Sequence, residues 1–484
     1  MATSLGAPVR YHRIPRYAFG PKPKRRTELG LLVFSWVIIT ALYVLASLGS
    51  TSKIPPHLGP FLGAMFALSV VAHLVNRWLV PNSHPIVLPT VALLNGIGYV
   101  IIARYDPNFA SAQAGWTAIG VMLYAATLLV VRRTRDLDRY RYLLLLVGGI
   151  LILSPLIPHI GLTVGSTRLW VHVGGLEFQP IEVAKILICL FFASYLAEKK
   201  ELLSIPTARL GNRLVLDPRP LVPMLLVWGF CMLVIAKEDD IGFALLLFTL
   251  FMVMLWVATG RVGYLVFGLV LFALGAFVVA HLFAQFHERV TIWLDPWAST
   301  SNSHACTVRP ELASCFGGGG DQLANGWYAL GLGGVGGVGL GLGQACAQGC
   351  ALFISALTSD MIFAAIGYQL GLMGTAAVAL GFLLLVGTGL RIAQTARSDF
   401  SRLVAVGLTA LLGFQTFFIM AGVIRLLPFT GITLPFMAYG GSSLVTNYVL
   451  VAILMRISEE GSATPAERAS GVRQPGERAF TRVD

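Results

Sequence analysis

Charged residues are scarce in this sequence. Only 12% of its 484 residues are Asp, Glu, Lys or Arg, whereas 56% are hydrophobic, and the mean hydropathy is +0.76. Soluble domains carry about 25% charged residues, so the composition excludes a soluble globular protein. Apolar runs of roughly 17–25 residues recur along the chain, and each is long enough to cross a bilayer as a helix. The runs are continuously apolar, which favours helices over the alternating strands of a membrane barrel.

Acidic residues are scarcer than basic ones, 23 against 35, which gives a formal net charge of +12. The Lys and Arg residues cluster in alternate connections between the apolar runs, as they do in the cytoplasmic loops of membrane proteins. The positive charge therefore indicates membrane orientation, and no nucleic-acid partner is expected. No cleavable signal peptide is predicted, because the first 28 residues are polar and basic and the first apolar run is long enough to stay as an anchor.

These patterns predict an all-α, polytopic membrane bundle of about twelve transmembrane helices with one long extracellular loop. Both termini are expected in the cytoplasm. The predicted parts are a basic cytoplasmic tail at 1–28, two N-terminal helices within 29–84, a transmembrane core at 85–459 and a disordered cytoplasmic tail at 460–484. The extracellular loop spans about 284–359 and contains no clear membrane span, and loops of that length are usually functional or disordered.

Cysteine is also infrequent, with six residues in all. Cys189 and Cys231 fall in apolar runs, where small buried thiols are expected. The other four lie in the outer loop, namely Cys306, Cys315, Cys346 and Cys350. An even number in an oxidising compartment predicts two disulfides, whose pairing the sequence leaves open. A metal site is a weaker alternative, because no His in the loop has the spacing of a ligand.

The Gly-rich run 331–343 lacks the lysine and the strand context of a nucleotide-binding loop. Two interpretations remain open for it. Glycine allows close backbone approach to a ligand such as a pyrophosphate or a lipid headgroup. Alternatively, the run is a loop that packs against neighbouring helices.

The stretch Leu357–Gly374 places one carboxylate, Asp360, at the mouth of a long apolar run. Ionised side chains at membrane depth are costly and usually functional, so Asp360 is the candidate catalytic residue. The competing interpretation is structural, because an Asp at a helix start can serve as the N-cap, a task that Ser359 could share.

Four stretches together resemble one family. They are Gly165–Lys185 with STRLW and FQPIEVAK, Glu238–Gly242 with EDDIG, Thr358–Gly374 with TSDMIFAAIGYQLGLMG, and Leu427–Ser443 with LPFTGITLPFMAYGGSS. Their residues, order and spacing resemble those of the shape, elongation, division and sporulation (SEDS) family of bacterial cell-wall synthesis, which includes RodA and FtsW. The two extra N-terminal helices and the segment LLNGIGYVIIARYD are similar to the RodA-type members of actinobacteria. The chain departs from the family pattern at Glu238 and Asp239, which replace Gln and Pro, and at Tyr368 and Gln369, which replace a Glu pair.

The resemblance implies a peptidoglycan glycosyltransferase of the bacterial cytoplasmic membrane that polymerises lipid II at the outer face, in elongation, division or sporulation. An acceptor GlcNAc 4-hydroxyl would attack the anomeric carbon of MurNAc with inversion, and Asp360 would take its proton as the general base. The implied substrate-binding residues are Arg168, Trp170, Gln179, Glu182, Lys185, Asp240, Tyr439, Ser442 and Ser443. Arg168 and Lys185 are the candidates to stabilise the leaving pyrophosphate. A divalent cation, Mg²⁺ or Mn²⁺, is a further candidate, and the implied partner is a class B penicillin-binding protein.

Structural alternatives accompany these assignments. Lys185 and Glu182 could form an intramembrane ion pair that only fixes packing, and Arg168 could anchor the chain at the headgroups. Asp240 could bind a metal, pair with a lysine or be purely structural. The Tyr439–Ser443 turn could have a structural role alone, which is to shape the backbone. Two other functions also stay open, a transporter of lipid-linked precursor and a non-catalytic scaffold for a penicillin-binding transpeptidase.

Overall fold

The structure, a computed structural model, describes fourteen stretches of the chain. They are residues 25–52, 58–158, 160–164, 167–173, 176–204, 208–210, 213–215, 219–238, 240–282, 284–295, 319–343, 345–346, 352–353 and 356–462. Residues 1–24 and 463–484 of the predicted tails and the positions Cys306, Cys315 and Cys350 lie outside these residues, and of Cys346 only the backbone is described. The ends of the two predicted tails that are described, 25–28 and 460–462, belong to helices. The disulfides therefore stay a prediction.

Helices dominate the described chain and follow the predicted apolar runs. In chain order they are α1 (Arg25–Thr51), α2 (Leu58–Leu79), α3 (Val87–Tyr105), α4 (Pro107–Val130), α5 (Arg135–Asp138), α6 (Arg141–Leu153), α7 (Pro180–Ser204), α8 (Val222–Lys237), α9 (Ile241–Thr259), α10 (Val262–Leu282), α11 (Ala284–Leu294), α12 (Gly319–Gly333), α13 (Ile362–Thr395), α14 (Asp399–Val423) and α15 (Gly441–Ser462). Ten of the described helices are long and apolar enough to cross a membrane. Two shorter apolar helical segments are Arg141–Leu156 and Val262–Gly275. The predicted membrane helical bundle is confirmed.

The centre of the bundle is formed by α3, α7, α14 and α15. In α15, 89% of the membrane-length window is buried within the protein, compared with 28% in α1. Helix α4 packs along α15, α6 along α7, and α13 along α14. The central helices carry buried polar residues such as Glu182, Lys185 and Asn447, which are covered by protein, while the outer helices present apolar faces to lipid.

Three small sheets were missed by the all-α prediction. A three-stranded antiparallel sheet contains β1 (Gly161–Val164), β2 (Thr167–Val173) and β3 (Leu176–Phe178), with Leu162 opposite Trp170. Two-stranded sheets join β4 (Ala208–Leu210) to β5 (Arg213–Val215), and β6 (Ala345–Cys346) to β7 (Leu352–Phe353). The β-branched and aromatic residues of β2 favour a strand, a local signal that the membrane-helix pattern does not include.

Helix α13 is broken at Gly371, whose φ of +65° and ψ of −163° leave the helical region. The backbone of the Gly-rich run 331–343 forms hydrogen bonds with the backbone groups that the break leaves without helical partners. Leu372 N–H donates to the Gly334 carbonyl at 2.9 Å, and Val338 N–H donates to the Tyr368 carbonyl at 3.0 Å. A broken helix at membrane depth is tolerated where protein satisfies the freed backbone groups. The Gly-rich run therefore packs against helices, as the second interpretation held.

Two side chains hold the same run in place. Arg104 donates to the Gly341 carbonyl at 3.1 Å, and Gln369 accepts a hydrogen bond from Gly341 N–H at 3.2 Å while donating to the Tyr105 hydroxyl at 2.8 Å. Gln369 is one of the residues that depart from the family pattern. Its side chain forms hydrogen bonds with Gly341 and Tyr105.

Gly341 should tolerate no side chain. Its φ is +81°, and a Cβ atom there would lie 2.1 Å from the Ala46 carbonyl oxygen of α1. We expect Gly341→Ala to lower the free energy of unfolding by about 1–3 kcal/mol, because the left-handed backbone and the clash both oppose it. Thermal unfolding in detergent would measure the loss. Gly336→Ala, in the same run with open space around its Cβ position, is the matched control. Equal stability of the two variants would contradict this packing.

Candidate active site

The four sequence motifs converge on one loop, 428–440. Tyr439 N–H donates to the Thr358 carbonyl at 2.8 Å, which ties the loop to the turn that carries Asp360. A Cβ atom at Gly242 would lie 3.0 Å from the Thr430 carbonyl oxygen, so the start of α9 packs closely against the same loop. Gln179 N–H donates to Ser442 Oγ at 2.9 Å, which joins the start of α7 to the start of α15. Residues far apart in sequence thus meet at one end of the bundle.

Asp360 lies in the turn before α13 and does not cap that helix. The N-cap position belongs to Met361, which makes no side-chain capping bond. Ser359 Oγ donates to the Ala356 carbonyl at 3.3 Å, so it does not cap α13 either. The interpretation of Asp360 as the N-cap is wrong. Its carboxylate is half-buried and faces the Gly431 backbone, with Oδ2 4.0 Å from the point where a Cβ of Gly431 would lie.

Arg289 of α11 is the residue that sequence reasoning missed. Its Nη1 donates to the Phe429 carbonyl at 3.2 Å and lies 3.7 Å from the same Cβ position of Gly431. Gly431 has a φ of +69° and carries no side chain, and both the Asp360 carboxylate and the Arg289 guanidinium lie beside it. Arg289 lies in a helix of mixed apolar and polar residues without a recognised motif. Its positive charge in the predicted outer loop is the one signal by which the sequence could have indicated it.

The electrostatics of Asp360 favour a base that titrates near neutrality. Burial is the largest effect and raises the pKa of Asp360 to about 7. The neighbouring Asp240 also raises this pKa, whereas the Arg289 guanidinium and Ser359 lower it. Desolvation disfavours the charged carboxylate, and a nearby cation offsets part of that cost. A general base works best when its pKa is close to the operating pH.

Asp240 has a structural task that Asp360 lacks. Its side chain accepts a hydrogen bond from Phe243 N–H at 3.0 Å and caps α9. Burial raises the pKa of Asp240 to about 6, while the backbone bond to Phe243 and the charge of Arg289 lower it. Arg289 therefore acts on both carboxylates, and Asp240 contributes negative charge to the surroundings of Asp360.

Glu238 ends α8 and is buried, with 1% of its surface exposed. Neither of its carboxyl oxygens has a hydrogen-bond partner among the described residues. Burial and the charge of Asp240 raise the pKa of Glu238 to about 8. The side chain is thus a neutral acid near pH 7, similar in shape and polarity to the Gln of the family pattern.

We expect Glu238→Gln to stabilise the protein on the alkaline side. The folded state keeps a proton that the unfolded state loses near pH 4.5, so the free energy of unfolding falls as pH rises towards 8, by at most about 1.4 kcal/mol per pH unit. The amide removes this dependence. Thermal unfolding at about pH 6 and pH 8 would measure it, with the exposed Glu177→Gln as control. A variant that follows the wild-type pH dependence would refute the assignment.

Lys185 and Glu182 form a closed polar group inside α7. Lys185 is fully buried, pairs with Glu182, and donates to Gln415 Oε1 of α14 at 2.8 Å. Gln415 in turn donates to the Thr433 carbonyl of the 428–440 loop at 2.9 Å. This arrangement is the packing alternative for the ion pair. These hydrogen bonds connect the membrane interior to the 428–440 loop. The Lys185 ammonium group has no exposed surface.

The remaining predicted residues lie in β2 and in the segment 439–443. Trp170 is half-buried in β2, and the side chain of Arg168, two positions earlier in the same strand, lies outside the described residues. Tyr439 stacks on Phe109 with ring centroids 4.4 Å apart. Ser443 is buried and accepts from the Asn447 amide at 3.3 Å.

A divalent cation finds no ready set of ligands in the described chain. No group of three or more His, Cys, Asp and Glu side chains there is arranged to hold a metal ion. The positive charge beside Asp360 and Asp240 comes from Arg289. The mechanism below therefore uses Arg289 as the described source of positive charge, and the divalent cation stays a prediction.

The bundle and its half-buried carboxylate define a multi-pass membrane protein with a candidate acid–base site at one end of its helices. The chain belongs to the family of FtsW, RodA and SpoVE cell cycle proteins, whose model matches residues 86–463. The family resemblance predicted from the four motifs is confirmed.

Two kinds of relatives match by sequence. The peptidoglycan glycosyltransferase RodA of Mycobacterium tuberculosis is 35% identical over 496 residues, which cover 100% of this chain and 99% of that protein. The Mycobacterium leprae RodA is 34% identical over 90% of this chain and 91% of its own length. The probable peptidoglycan glycosyltransferase FtsW of a Geobacter species is 32% identical over 64% of this chain and 76% of its own length.

Solved structures share the fold. A chain of a peptidoglycan synthase complex that coordinates polymerization and crosslinking superposes with a TM-score of 0.61 at 22% identity, covering 79% of this chain and 99% of that one. The rod shape determining protein RodA of Thermus thermophilus superposes with a TM-score of 0.53 at 21% identity, covering 80% of this chain and all of that one.

Proposed function

We propose that this protein is a peptidoglycan glycosyltransferase that polymerises lipid II, with Asp360 as its general base. The observation that carries the proposal is the position of Asp360, which caps no helix, lies with Arg289 beside Gly431, and has a pKa raised to about 7. The full-length similarity to RodA proteins named as peptidoglycan glycosyltransferases supports the reaction class.

The proposed step is a single displacement. The 4-hydroxyl of an acceptor GlcNAc attacks the anomeric carbon of the donor MurNAc, and the new glycosidic C–O bond forms as the bond to the pyrophosphate oxygen breaks. The hydroxyl proton passes to the Asp360 carboxylate. A sugar hydroxyl is a weak nucleophile, and a positioned base contributes about 10²–10⁴-fold to such a step. One carboxylate suffices for a displacement with inversion.

The leaving polyprenyl pyrophosphate carries negative charge that develops as the bond breaks. Arg289 is a cation that acts on Asp360 and lowers its pKa, and both groups lie within 4.0 Å of the Gly431 Cβ position. Preorganised cations aimed at developing charge lower the barrier of phosphate-leaving reactions. We therefore assign the pyrophosphate contact to Arg289, and we retain Arg168 as the second candidate. Lys185 then acts indirectly, by holding α7, α14 and the 428–440 loop together.

The orientation of the bundle in the membrane follows from its charges. The connections around Arg132–Arg141, Lys199–Arg219 and Arg391–Arg402 carry the basic clusters, and the positive-inside rule places them in the cytoplasm. Helices α7, α9, α13 and α15 begin at the opposite end, where Asp360 lies. The active site is thus proposed at the outer face of the cytoplasmic membrane, where a lipid-linked sugar headgroup would sit, with both termini inside.

A class B penicillin-binding protein is the proposed partner. A protein of the same fold acts within a peptidoglycan synthase complex that coordinates polymerization and crosslinking. The polymerised glycan needs a transpeptidase to crosslink it, so a partner that faces the outer end of the bundle would receive the product directly.

The purified protein with its transpeptidase partner and labelled lipid II in detergent tests the proposal. Glycan chains that form with the wild type, and that disappear with Asp360→Ala while partner binding persists, support the enzyme. Binding of the partner without any glycan chain from the wild type would instead support a scaffold. Movement of lipid II across vesicle membranes without polymerisation would support a transporter.

A further inference from the structure

A polar cavity lies at the end of the bundle opposite to Asp360. It has a volume of about 540 Å³ and is formed where the short helix α5 meets the connection between α13 and α14. Three arginines from two distant parts of the chain line it, namely Arg135, Arg397 and Arg402. A cavity of this size is within the range of sites that hold small ligands or lipid headgroups.

The two carboxylates of the cavity are already engaged. Asp138 accepts a hydrogen bond from Ser194, and Asp399 pairs with Lys200. The side chains of Arg135 and Arg402 form no hydrogen bond or ion pair with the rest of the described chain. The cavity therefore has more positive charge than its own acidic residues neutralise.

The start of α14 adds oriented donors to the same wall. Ser398 is the N-cap of this 25-residue helix, and its Oγ accepts from Ser401 N–H at 3.1 Å. The first N–H groups of a helix have no partner within the helix, and the helix dipole favours an anion near them. Ser398, Asp399 and Phe400 of this first turn line the cavity.

We propose that this cavity is a binding site for a phosphate-bearing anion, such as the headgroup of an anionic phospholipid in the inner leaflet. Arginine forks match the geometry of phosphate oxygens, and basic pockets between transmembrane helices on the cytoplasmic side bind lipid headgroups. The proposal is independent of the glycosyltransferase reaction, because the cavity and Asp360 lie at opposite ends of the helices.

The test uses the full-length protein in non-ionic detergent. Native mass spectrometry counts bound phosphatidylglycerol against phosphatidylcholine over a range of lipid concentrations. The triple variant R135Q/R397Q/R402Q removes the cavity charges. The matched control R132Q/R133Q/R139Q removes three exposed arginines of the same face that do not line the cavity. We expect the cavity variant to bind phosphatidylglycerol about 100-fold more weakly than the wild type, and the control to bind it within a few-fold of the wild type.

The outcomes separate the sources of the phosphate. Selective binding of phosphatidylglycerol that inorganic phosphate does not displace assigns the site to a lipid headgroup. Binding of inorganic phosphate that the cavity variant alone abolishes assigns it to a soluble phosphate compound. Equal losses in the two triple variants would show a diffuse surface field and overturn the proposal, as would no loss in either. Arg402→Gln with Arg133→Gln as its control repeats the comparison with one exposed substitution each.

Discussion

Asp360→Asn is expected to lower the rate of glycan polymerisation by about 10²–10⁴-fold at pH 7, because the amide cannot accept the proton of the attacking hydroxyl. The side chains are nearly the same size, so the turn before α13 should keep its shape. Asp360 makes no capping bond that the substitution would remove. Gel-based analysis of labelled lipid II polymers, made with the partner transpeptidase present, measures the rate.

The control for this loss is a carboxylate-to-amide change away from the site. Glu177 is exposed in β3, and Glu177→Gln should leave polymerisation within a few-fold of the wild type. Unfolding temperature and partner binding of Asp360→Asn should match the wild type. A variant that polymerises at the wild-type rate would remove Asp360 from the mechanism.

Arg289→Gln is expected to lower polymerisation by about 10²–10³-fold, as the loss of one preorganised donor does in other enzymes. The variant should also carry a second signature. Arg289 lowers the pKa of Asp360, so its removal should raise that pKa and move the acidic limb of the pH–rate profile to higher pH. Arg289→Lys keeps the charge and should restore part of the rate.

The matched control is Arg77→Gln, which removes an exposed arginine from the last turn of α2 at the other end of the bundle. It should change neither the rate nor the pH profile. If Arg289→Gln lowers the rate without any shift of the profile, Arg289 would hold the 428–440 loop through the Phe429 carbonyl and would not act on Asp360.

The sequence predicted the bundle and Asp360 for physical reasons that act locally. Apolar runs of membrane length must form helices, and an ionisable group at the mouth of such a run stands out from its surroundings. The sequence could not decide whether Asp360 is the N-cap of α13. The structure shows that the N-cap is Met361, one residue later. The basic clusters likewise predict the orientation of the bundle in the membrane, which stays a prediction.

The sequence could not predict that Arg289 lies near Asp360, because this proximity depends on tertiary packing. Arg289 belongs to α11, a short helix within the segment that was expected to be one long loop. Two details place it near Asp360, the hydrogen bond to the Phe429 carbonyl and the missing side chain of Gly431. Similarly, the break at Gly371 was hidden in an apolar run, because the Gly-rich run that satisfies its backbone lies in another part of the chain.

The pH dependence of polymerisation by the wild type and by Asp360→Asn tests the central claim most directly. The base must be ionised to accept a proton, so the wild-type rate should rise tenfold per pH unit on the acidic side and level off above about 7, the pKa of Asp360. The residual rate of Asp360→Asn should lack this limb. A wild-type rate that is constant between about pH 5.5 and 8, or a limb that persists unchanged in Asp360→Asn, would contradict the assignment of Asp360 as the general base.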